Sequence, residues 1–124
     1  MSLSDEQWEF LIDVASLIDY AEREGYKMTA GHLFRTSAQQ YLYFFGYTLT
    51  EKLKLIKTKK RSKTKSGYHQ KRLAIDFNVF INGKLTYTVN DIKPLGEYWK
   101  SLNPLNVWGG DWGWDSGHFQ RSYN

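Results

Sequence analysis

The N-terminal part of the chain carries apolar residues at helical spacing, with acidic residues between them. The apolar positions are Trp8, Leu11, Ile12, Ala15, Ile18 and Ala21. Residues three or four positions apart share one face of an α-helix, so the pattern predicts an amphipathic helix over roughly residues 5–24. Ser4 and Gln7 fit a capping box at its start, and Glu9 and Asp13 fall on its polar side.

Runs of β-branched and aromatic residues predict strands further along the chain. Leu73–Ile81 is one such run, and Asn82-Gly83 after it is the strongest two-residue hairpin signal. Leu85–Val89 is the predicted partner strand. Tyr26–Thr29 predicts another short strand, close to the first helix.

Two further helices complete the predicted elements. One runs from Thr36 or Ser37 to Phe45, and the other runs from Asp91 to Trp99. The Gly- and Trp-rich C-terminal segment predicts a loop followed by a last short strand. The order α, β, α, β-hairpin, α, β predicts an α+β domain with helices packed on one side of a small antiparallel sheet.

Length and composition limit the organisation and the chemistry. A chain of 124 residues forms one domain, over residues 1–124, and can bury a core without disulfides. The absence of cysteine excludes a disulfide scaffold, a thiolate nucleophile and a Cys-ligated metal. Hydrophobic residues make up 41% of the sequence and aromatic residues 17%, which is too much for a disordered chain. We expect a monomer.

The positive charge is concentrated in one segment. Lys52–Lys65 carries eight Lys or Arg residues and no acid, whereas the rest of the chain carries nine basic residues against all 13 acidic ones. Like charges at this density predict an exposed, mobile loop over residues 50–66. Two interpretations stay open: a solvated loop, or a contact with anionic wall polymers or a membrane surface that salt would weaken.

A non-enzymatic nucleic-acid-binding module built on this basic segment is an alternative from a different class. The excess of acidic residues elsewhere argues against it, because nucleic-acid-binding domains usually spread basic charge over a face. We therefore expect no nucleic acid partner. The acidic start of the chain is unlike a secretory signal, which predicts synthesis in the cytoplasm without a signal peptide.

Histidines and nearby carboxylates supply the candidate chemistry. His69 precedes Asp76 by seven positions, and Asp115 precedes His118 by three. Two histidines and one carboxylate form a ligand set that leaves a fourth position of Zn²⁺ open to water, and a further carboxylate near that water can act as general base. Surface or capping roles for each histidine are the simpler alternative. Asp76 weakens that alternative, because an unpaired carboxylate in an apolar strand is costly.

The spacing of the first pair sets a geometric condition. Residues seven apart on a regular strand point to opposite faces of a sheet. For His69 and Asp76 to share a metal, the chain must therefore bend between them. Gly67 and the polar residues 70–72 are compatible with such a bend.

Three segments together resemble a known family. Gly67–Asp76 is similar to the His-(six residues)-Asp motif of the M15 zinc peptidases, which act on peptidoglycan. Trp108–Gln120 is similar to the C-terminal motif of their L-alanyl-D-glutamate endopeptidase branch, which phage endolysins use. Gly31–Gln40 resembles the segment that carries the family's active-site arginine. The motifs occur in the family's order and span residues 31–120.

This resemblance implies one zinc ion held by His69, Asp76 and His118. It implies that Asp115 is the catalytic carboxylate and that Arg35 faces the scissile carbonyl. It also implies the M15 peptidase fold and hydrolysis of the peptidoglycan stem peptide at the L-Ala–D-Glu bond. An endolysin of this kind reaches the bacterial wall through holin-type membrane holes. A D-Ala-D-Ala carboxypeptidase or dipeptidase of the same family is the alternative.

Some residues depart from the family pattern or keep two interpretations. Gly67 and Arg72 replace the serine and glycine common in the family, which affects the surroundings of the ligands rather than the ligands. His32 is not expected to bind metal, and Asp111 is expected at most to orient its neighbours. Two tryptophans of the C-terminal motif line the cleft or belong to the core; they are Trp112 and Trp114.

Overall fold

The structure, a computed structural model, describes residues 2–31, 47–49, 55–57 and 71–123. The predicted helix that ends at Phe45 lies outside these residues, as do His32, Arg35 and His69. The elements in chain order are α1 Leu3–Arg23, β1 Lys27–Ala30, β2 Tyr47–Leu49, β3 Leu55–Lys57, β4 Ala74–Ile81, β5 Lys84–Thr86, α2 Val89–Leu102, β6 Asn106–Trp108, a 3₁₀-helix Gly109–Trp112 and β7 His118–Arg121.

α1 begins earlier than the sequence predicted because a different serine caps it. The Ser2 side-chain oxygen accepts the backbone N–H of Asp5 at 3.2 Å, and the Asp5 carboxylate accepts the backbone N–H of Ser2 at 3.2 Å. This reciprocal pair satisfies two donors at the start of the helix. The predicted capping box of Ser4 and Gln7 was therefore wrong.

The face of α1 that packs on the sheet is not the one that its most obvious apolar stripe indicated. The buried apolar residues of α1 are Phe10, Val14, Leu17 and Ala21, and its exposed ones include Trp8, Leu11, Ile12 and Ile18. Glu9 and Asp13 point toward the sheet, where both pair with the buried Arg121 of β7. A buried guanidinium requires carboxylate partners, so the acidic residues of the helix turn inward.

The main sheet is antiparallel, with strand order β1-β4-β7-β6. β4 pairs with β1 along one edge, and on its other edge it pairs with β7 near its start and with β5 near its end. The predicted turn at Asn82-Gly83 joins β4 to β5, and both of its residues have positive φ, 51° and 77°. That backbone is the one a tight two-residue hairpin requires.

The hydrophobic core lies between this sheet and the two helices. Trp99 of α2 stands edge-on to Phe10 of α1 and to Phe119 of β7, with ring centroids 5.6 and 6.0 Å away. Its indole N–H lies 3.1 Å from the carbonyl oxygens of both Val107 and Gln120, so the ring also ties α2 to the two C-terminal strands. The predicted α+β architecture is confirmed.

Several element boundaries differ from the prediction. The chain turns from β5 into α2 earlier than expected, because the Thr86 hydroxyl donates to Asp91 at 2.8 Å and accepts the backbone N–H of Thr88 at 3.2 Å. β6 was not predicted. Leu55–Lys57, inside the segment predicted as a basic loop, forms a strand paired with β2. Neither α1 nor α2 is long and apolar enough to cross a membrane.

Candidate active site

The pairing of β4 with β7 brings two of the predicted site residues together. Asp76 lies directly opposite His118 in the register of the two strands. Because side chains alternate along a strand, Ile75 and Phe77 enter the core while Asp76 points to the other face of the sheet. Cross-strand neighbours share a face, so the carboxylate and the imidazole meet there.

The His118 ring is held at both of its nitrogens. Nδ1 lies 2.8 Å from Asp76 Oδ1, and Nε2 lies 2.7 Å from Gln120 Oε1. Burial alone lowers the pKa of His118, but the hydrogen bond and charge of Asp76, with Gln120 and Asp115 in support, outweigh burial and raise that pKa. The ring is thus a buried base whose Nδ1 faces negative charge.

A second carboxylate stands beside the same nitrogen. Asp115 Oδ2 lies 3.9 Å from His118 Nδ1, and the backbone N–H of His118 donates to the Asp115 carbonyl at 3.1 Å. The Asp76 and Asp115 side chains are 25% and 35% exposed, against 9% for His118. The carboxylate side of this cluster is therefore open to solvent, while the imidazole is enclosed.

The Trp108-Gly-Gly part of the motif holds the Asp115 turn in place. The buried Trp108 indole donates to the Ser116 carbonyl at 2.7 Å, and the Ser116 hydroxyl donates to the Tyr87 carbonyl at 2.7 Å. Gly109 packs directly on the same turn: a Cβ there would lie 2.2 Å from the Asp115 carbonyl oxygen. A side chain at this position would displace Asp115, which explains the glycine.

The other predicted site residues, His69 and Arg35, lie outside the described part of the chain. Gly31, the last described residue before Arg35, contacts Asp76. The backbone N–H of Gly31 donates to the Asp76 carbonyl at 2.7 Å, so the chain leaves β1 next to Asp76, four residues before Arg35. Residues 71 and 72 form a turn in which Arg72 has φ 56°. A turn therefore lies between His69 and Asp76 in the chain, as a metal shared by the two residues would require.

The tryptophans and Asp111 take definite positions. Trp112 and Trp114 are exposed, with ring centroids 6.0 Å apart, and the Trp112 ring lies 5.4 Å from that of His118. Trp112 therefore lies beside the site, Trp114 lies next to Trp112, and neither ring belongs to the core. Asp111 pairs with Lys100 of α2 at 2.8 Å. That hydrogen bond raises the pKa of Lys100, an effect that Glu97 reinforces and partial burial opposes.

The donor set fits zinc as far as the structure describes it. Imidazole nitrogen and carboxylate oxygen are common zinc ligands, and two ligand atoms on a tetrahedral zinc ion lie about 3.3 Å apart. His118 Nδ1 and Asp76 Oδ1, at 2.8 Å, need only a small side-chain movement to share an ion. Within residues 2–31 and 71–123 no three His, Asp or Glu side chains surround a metal position.

Gln120 is a site residue that the sequence interpretation missed. It belongs to β7, two residues after His118, and lies on the same face of the strand. The period of two in a strand was the available signal, since the tripeptide from His118 to Gln120 already stood within the family motif.

Comparison with solved structures identifies the class of fold. The chain matches the crystal structure of the Serratia marcescens L-Ala D-Glu endopeptidase ChiX with a TM-score of 0.64 and 18% sequence identity, over 89% of this chain and 78% of that chain. At this identity the match shows that the two proteins share a fold. No curated protein sequence matches the chain.

Comparison with family models identifies the family. Residues 60–121, half of the chain, match an M15 peptidase family described as D-alanyl-D-alanine carboxypeptidase. The chain therefore belongs to the M15 peptidases, and the prediction that it is a peptidase of this family is confirmed. The matched residues include His69, Asp76, Asp115 and His118.

Proposed function

We propose that this protein is a zinc-dependent endopeptidase that hydrolyses the L-Ala–D-Glu bond of the peptidoglycan stem peptide. The observation that carries the proposal is the cross-strand pair of His118 and Asp76, with Asp115 at 3.9 Å. Here two partly exposed carboxylates flank one nitrogen of an enclosed imidazole, which is an arrangement suited to a metal and a reacting water.

The proposed metal ligands are His69, Asp76 and His118. Zinc, when bound, supplies a water of lowered pKa and a Lewis acid for the amide carbonyl. The pair described by the structure supplies one nitrogen and one oxygen donor. The third ligand follows from the family motif, and the turn at residues 71–72 redirects the chain between it and Asp76.

Asp115 is the proposed general base. Its carboxylate is more exposed than that of Asp76, so it can exchange protons with a water in the cleft. In hydrolysis it takes a proton from the attacking water and returns one to the leaving amine. The Trp108–Ser116 hydrogen bond and the contact with Gly109 hold it in place, which lowers the cost of orienting it in each turnover.

Arg35 is the proposed cation that stabilises the negative charge developing on the carbonyl oxygen, an effect often worth about 3–4 kcal/mol for a well-placed donor. The hydrogen bond between Gly31 and Asp76 supports this role, because it starts the segment that carries Arg35 beside the site. A guanidinium suits the role since it stays charged at all working pH values.

Product analysis tests the proposal. Purified peptidoglycan is digested with zinc-loaded wild type and with Asp115→Asn, and the products are identified by mass spectrometry. A new D-Glu amino group in the wild-type digest, absent with Asp115→Asn although that variant keeps one zinc, supports the proposal. A chain that binds no zinc and releases no peptide contradicts it.

A D-Ala-D-Ala carboxypeptidase is the second candidate, because the matching family model carries that description. The same digest distinguishes the two activities, since a carboxypeptidase releases free D-alanine and leaves the L-Ala–D-Glu bond intact.

We further propose that the protein lyses cell walls in the manner of a phage endolysin, with the basic segment contacting anionic wall polymers. This proposal rests on the family motif and on the charge of Lys52–Lys65. Turbidity loss of permeabilised bacteria that weakens with added salt supports it, whereas activity on isolated peptides alone contradicts it.

A further inference from the structure

Gln120 makes a contact with His118 that the proposed mechanism does not use. It is 9% exposed, and its Oε1 lies 2.7 Å from His118 Nε2, on the side of the ring opposite Asp76. The contact is therefore buried, and solvent does not compete for it. It closes the inner end of the imidazole with a single amide oxygen.

The backbone around Gln120 is fixed from three directions. It pairs with Ala74 of β4 on one side and Val107 of β6 on the other. Its carbonyl oxygen also lies 3.1 Å from the Trp99 indole N–H, in the centre of the core. Because this backbone is held in place, the Gln120 side chain has little freedom to move, and its Oε1 stays next to His118 Nε2.

An oxygen acceptor at Nε2 selects one tautomer of the ring. Nε2 must carry a proton to donate to Gln120 Oε1. Nδ1 faces the Asp76 carboxylate, and once the proton between them is lost, its lone pair can bind a metal. The other tautomer would set the Nε2 lone pair against the amide oxygen. Outer hydrogen bonds of this kind commonly fix the tautomer and orientation of metal-binding histidines.

We propose that Gln120 is a positioning residue that holds His118 with its proton on Nε2 and directs Nδ1 toward a metal shared with Asp76. This inference rests on the proposed zinc site. It adds to the proposed metal ligands a residue that does not touch the metal and acts only through its hydrogen bond to His118.

Zinc affinity of the intact protein tests this role. Zinc is titrated against a competing chelator for wild type, Gln120→Leu and Gln120→Glu. The leucine removes the acceptor at similar size, and we expect about 10- to 100-fold weaker binding, the usual cost of losing such a contact. The glutamate keeps an acceptor oxygen, and we expect affinity at or above that of wild type. Wild-type affinity in Gln120→Leu would overturn the inference.

Asn78→Leu is the matched control. Asn78 carries an amide on the same face of the sheet as Asp76, and that amide donates to the Thr29 hydroxyl at 3.3 Å rather than to His118. We expect its zinc affinity to stay within about twofold of wild type, because the loss of a peripheral amide leaves the ring's own hydrogen bonds in place. An equal loss in this variant would assign the effect to the sheet face in general and overturn the specific role of Gln120.

The ¹⁵N NMR spectrum of the zinc-loaded wild type gives a readout that does not depend on folding of a variant. We expect the proton of the His118 ring on Nε2 and the metal on Nδ1. The reverse assignment overturns the inference even if Gln120→Leu fails to fold. A wild type that binds no zinc contradicts the proposed function itself, whereas zinc binding that is insensitive to Gln120 contradicts only the role of this residue.

Discussion

Two polar clusters lie on opposite faces of β7. The Arg121 cluster consists of Arg121 with Glu6, Glu9, Asp13 and Asn106, and the His118 cluster consists of His118 with Asp76, Asp115 and Gln120. The first faces α1 and the second faces away from it. Strand alternation alone separates them, because odd and even positions of β7 point to opposite sides.

The two clusters differ in what their charges can do. Arg121 is 1% exposed and stays charged at any working pH, and its three nitrogens all contact side-chain oxygens of its own cluster. His118 can gain or lose a proton, and its carboxylate neighbours reach solvent. A permanently charged, enclosed cluster fastens a strand to a helix, whereas a titratable cluster with an open side can bind a ligand.

The largest expected effect separates the clusters by function. His118→Ala removes a proposed ligand, and we expect loss of stoichiometric zinc and a fall in peptidoglycan hydrolysis of at least about 10³-fold, or about 4 kcal/mol. The free energy of unfolding of the metal-free protein should fall by only about 1–3 kcal/mol, the cost of leaving the buried Gln120 amide without its partner. Zinc analysis, activity and urea unfolding measure these quantities. Retained zinc and activity would refute the assignment.

The next largest effect should be on stability rather than on zinc binding and activity. Arg121→Met leaves Glu6 buried without its cation, and we expect a loss of about 3–5 kcal/mol in the free energy of unfolding. Arg23→Met is the matched control, since Arg23 pairs with Asp19 on the surface, with both side chains more than half exposed. Its expected cost is about 0.5 kcal/mol or less. Equal urea midpoints for the two variants would show that the Arg121 cluster does not stabilise the fold.

Gly109→Ala tests whether packing against Gly109 holds Asp115 in position for catalysis. The added methyl group meets the Asp115 carbonyl, and overpacking of this kind usually costs about 1–3 kcal/mol. Because Asp115 must shift, kcat should fall further than the loss of stability explains. Zinc affinity should fall as well, since the added methyl group would lie 2.9 Å from the His118 Cβ. Stability measured by urea and kcat measured on peptidoglycan check this. Wild-type values for both would contradict the packing argument.

The smallest expected effect concerns Lys100, which joins α2 to the 3₁₀-helix through Asp111. Lys100→Ala should cost about 0.2–1 kcal/mol at neutral pH, as expected for a partly exposed ion pair. The pKa of Lys100 is raised in the folded state, so its contribution is full below the ordinary lysine pKa and is lost as the pH rises through the folded pKa. The difference in unfolding free energy between wild type and variant should therefore vanish in strong alkali. A difference that persists there would exclude the ion pair as its cause.

The sequence predicted which residues meet in the His118 cluster better than it predicted the packing of the core. Asp76, Asp115 and His118 were identified from spacing and motif, and the strand and turn around Asn82-Gly83 followed from local signals. Local patterns could not give the register of β4 against β7, because it depends on strands about 40 residues apart. They also assigned the wrong face of α1 to the core.

The error on α1 has a physical cause. Acidic residues on a helix usually mark its solvent side, and that rule fails when a distant cation is buried beneath them. Arg121 lies more than 100 residues from Glu6 in the chain, so no pattern within the helix could indicate that a cation is buried beside it. Gln120 was missed for another reason. Its position two residues after His118 placed it on the same face of a strand, but a neutral amide is neither a general base nor a common zinc ligand.

Anomalous X-ray diffraction at the zinc absorption edge, on crystals of the zinc-loaded protein, tests the central claim most directly. We expect one strong peak within about 2.0–2.2 Å of both His118 Nδ1 and an Asp76 carboxylate oxygen. A peak elsewhere on the molecule, or none at full zinc loading, would contradict it.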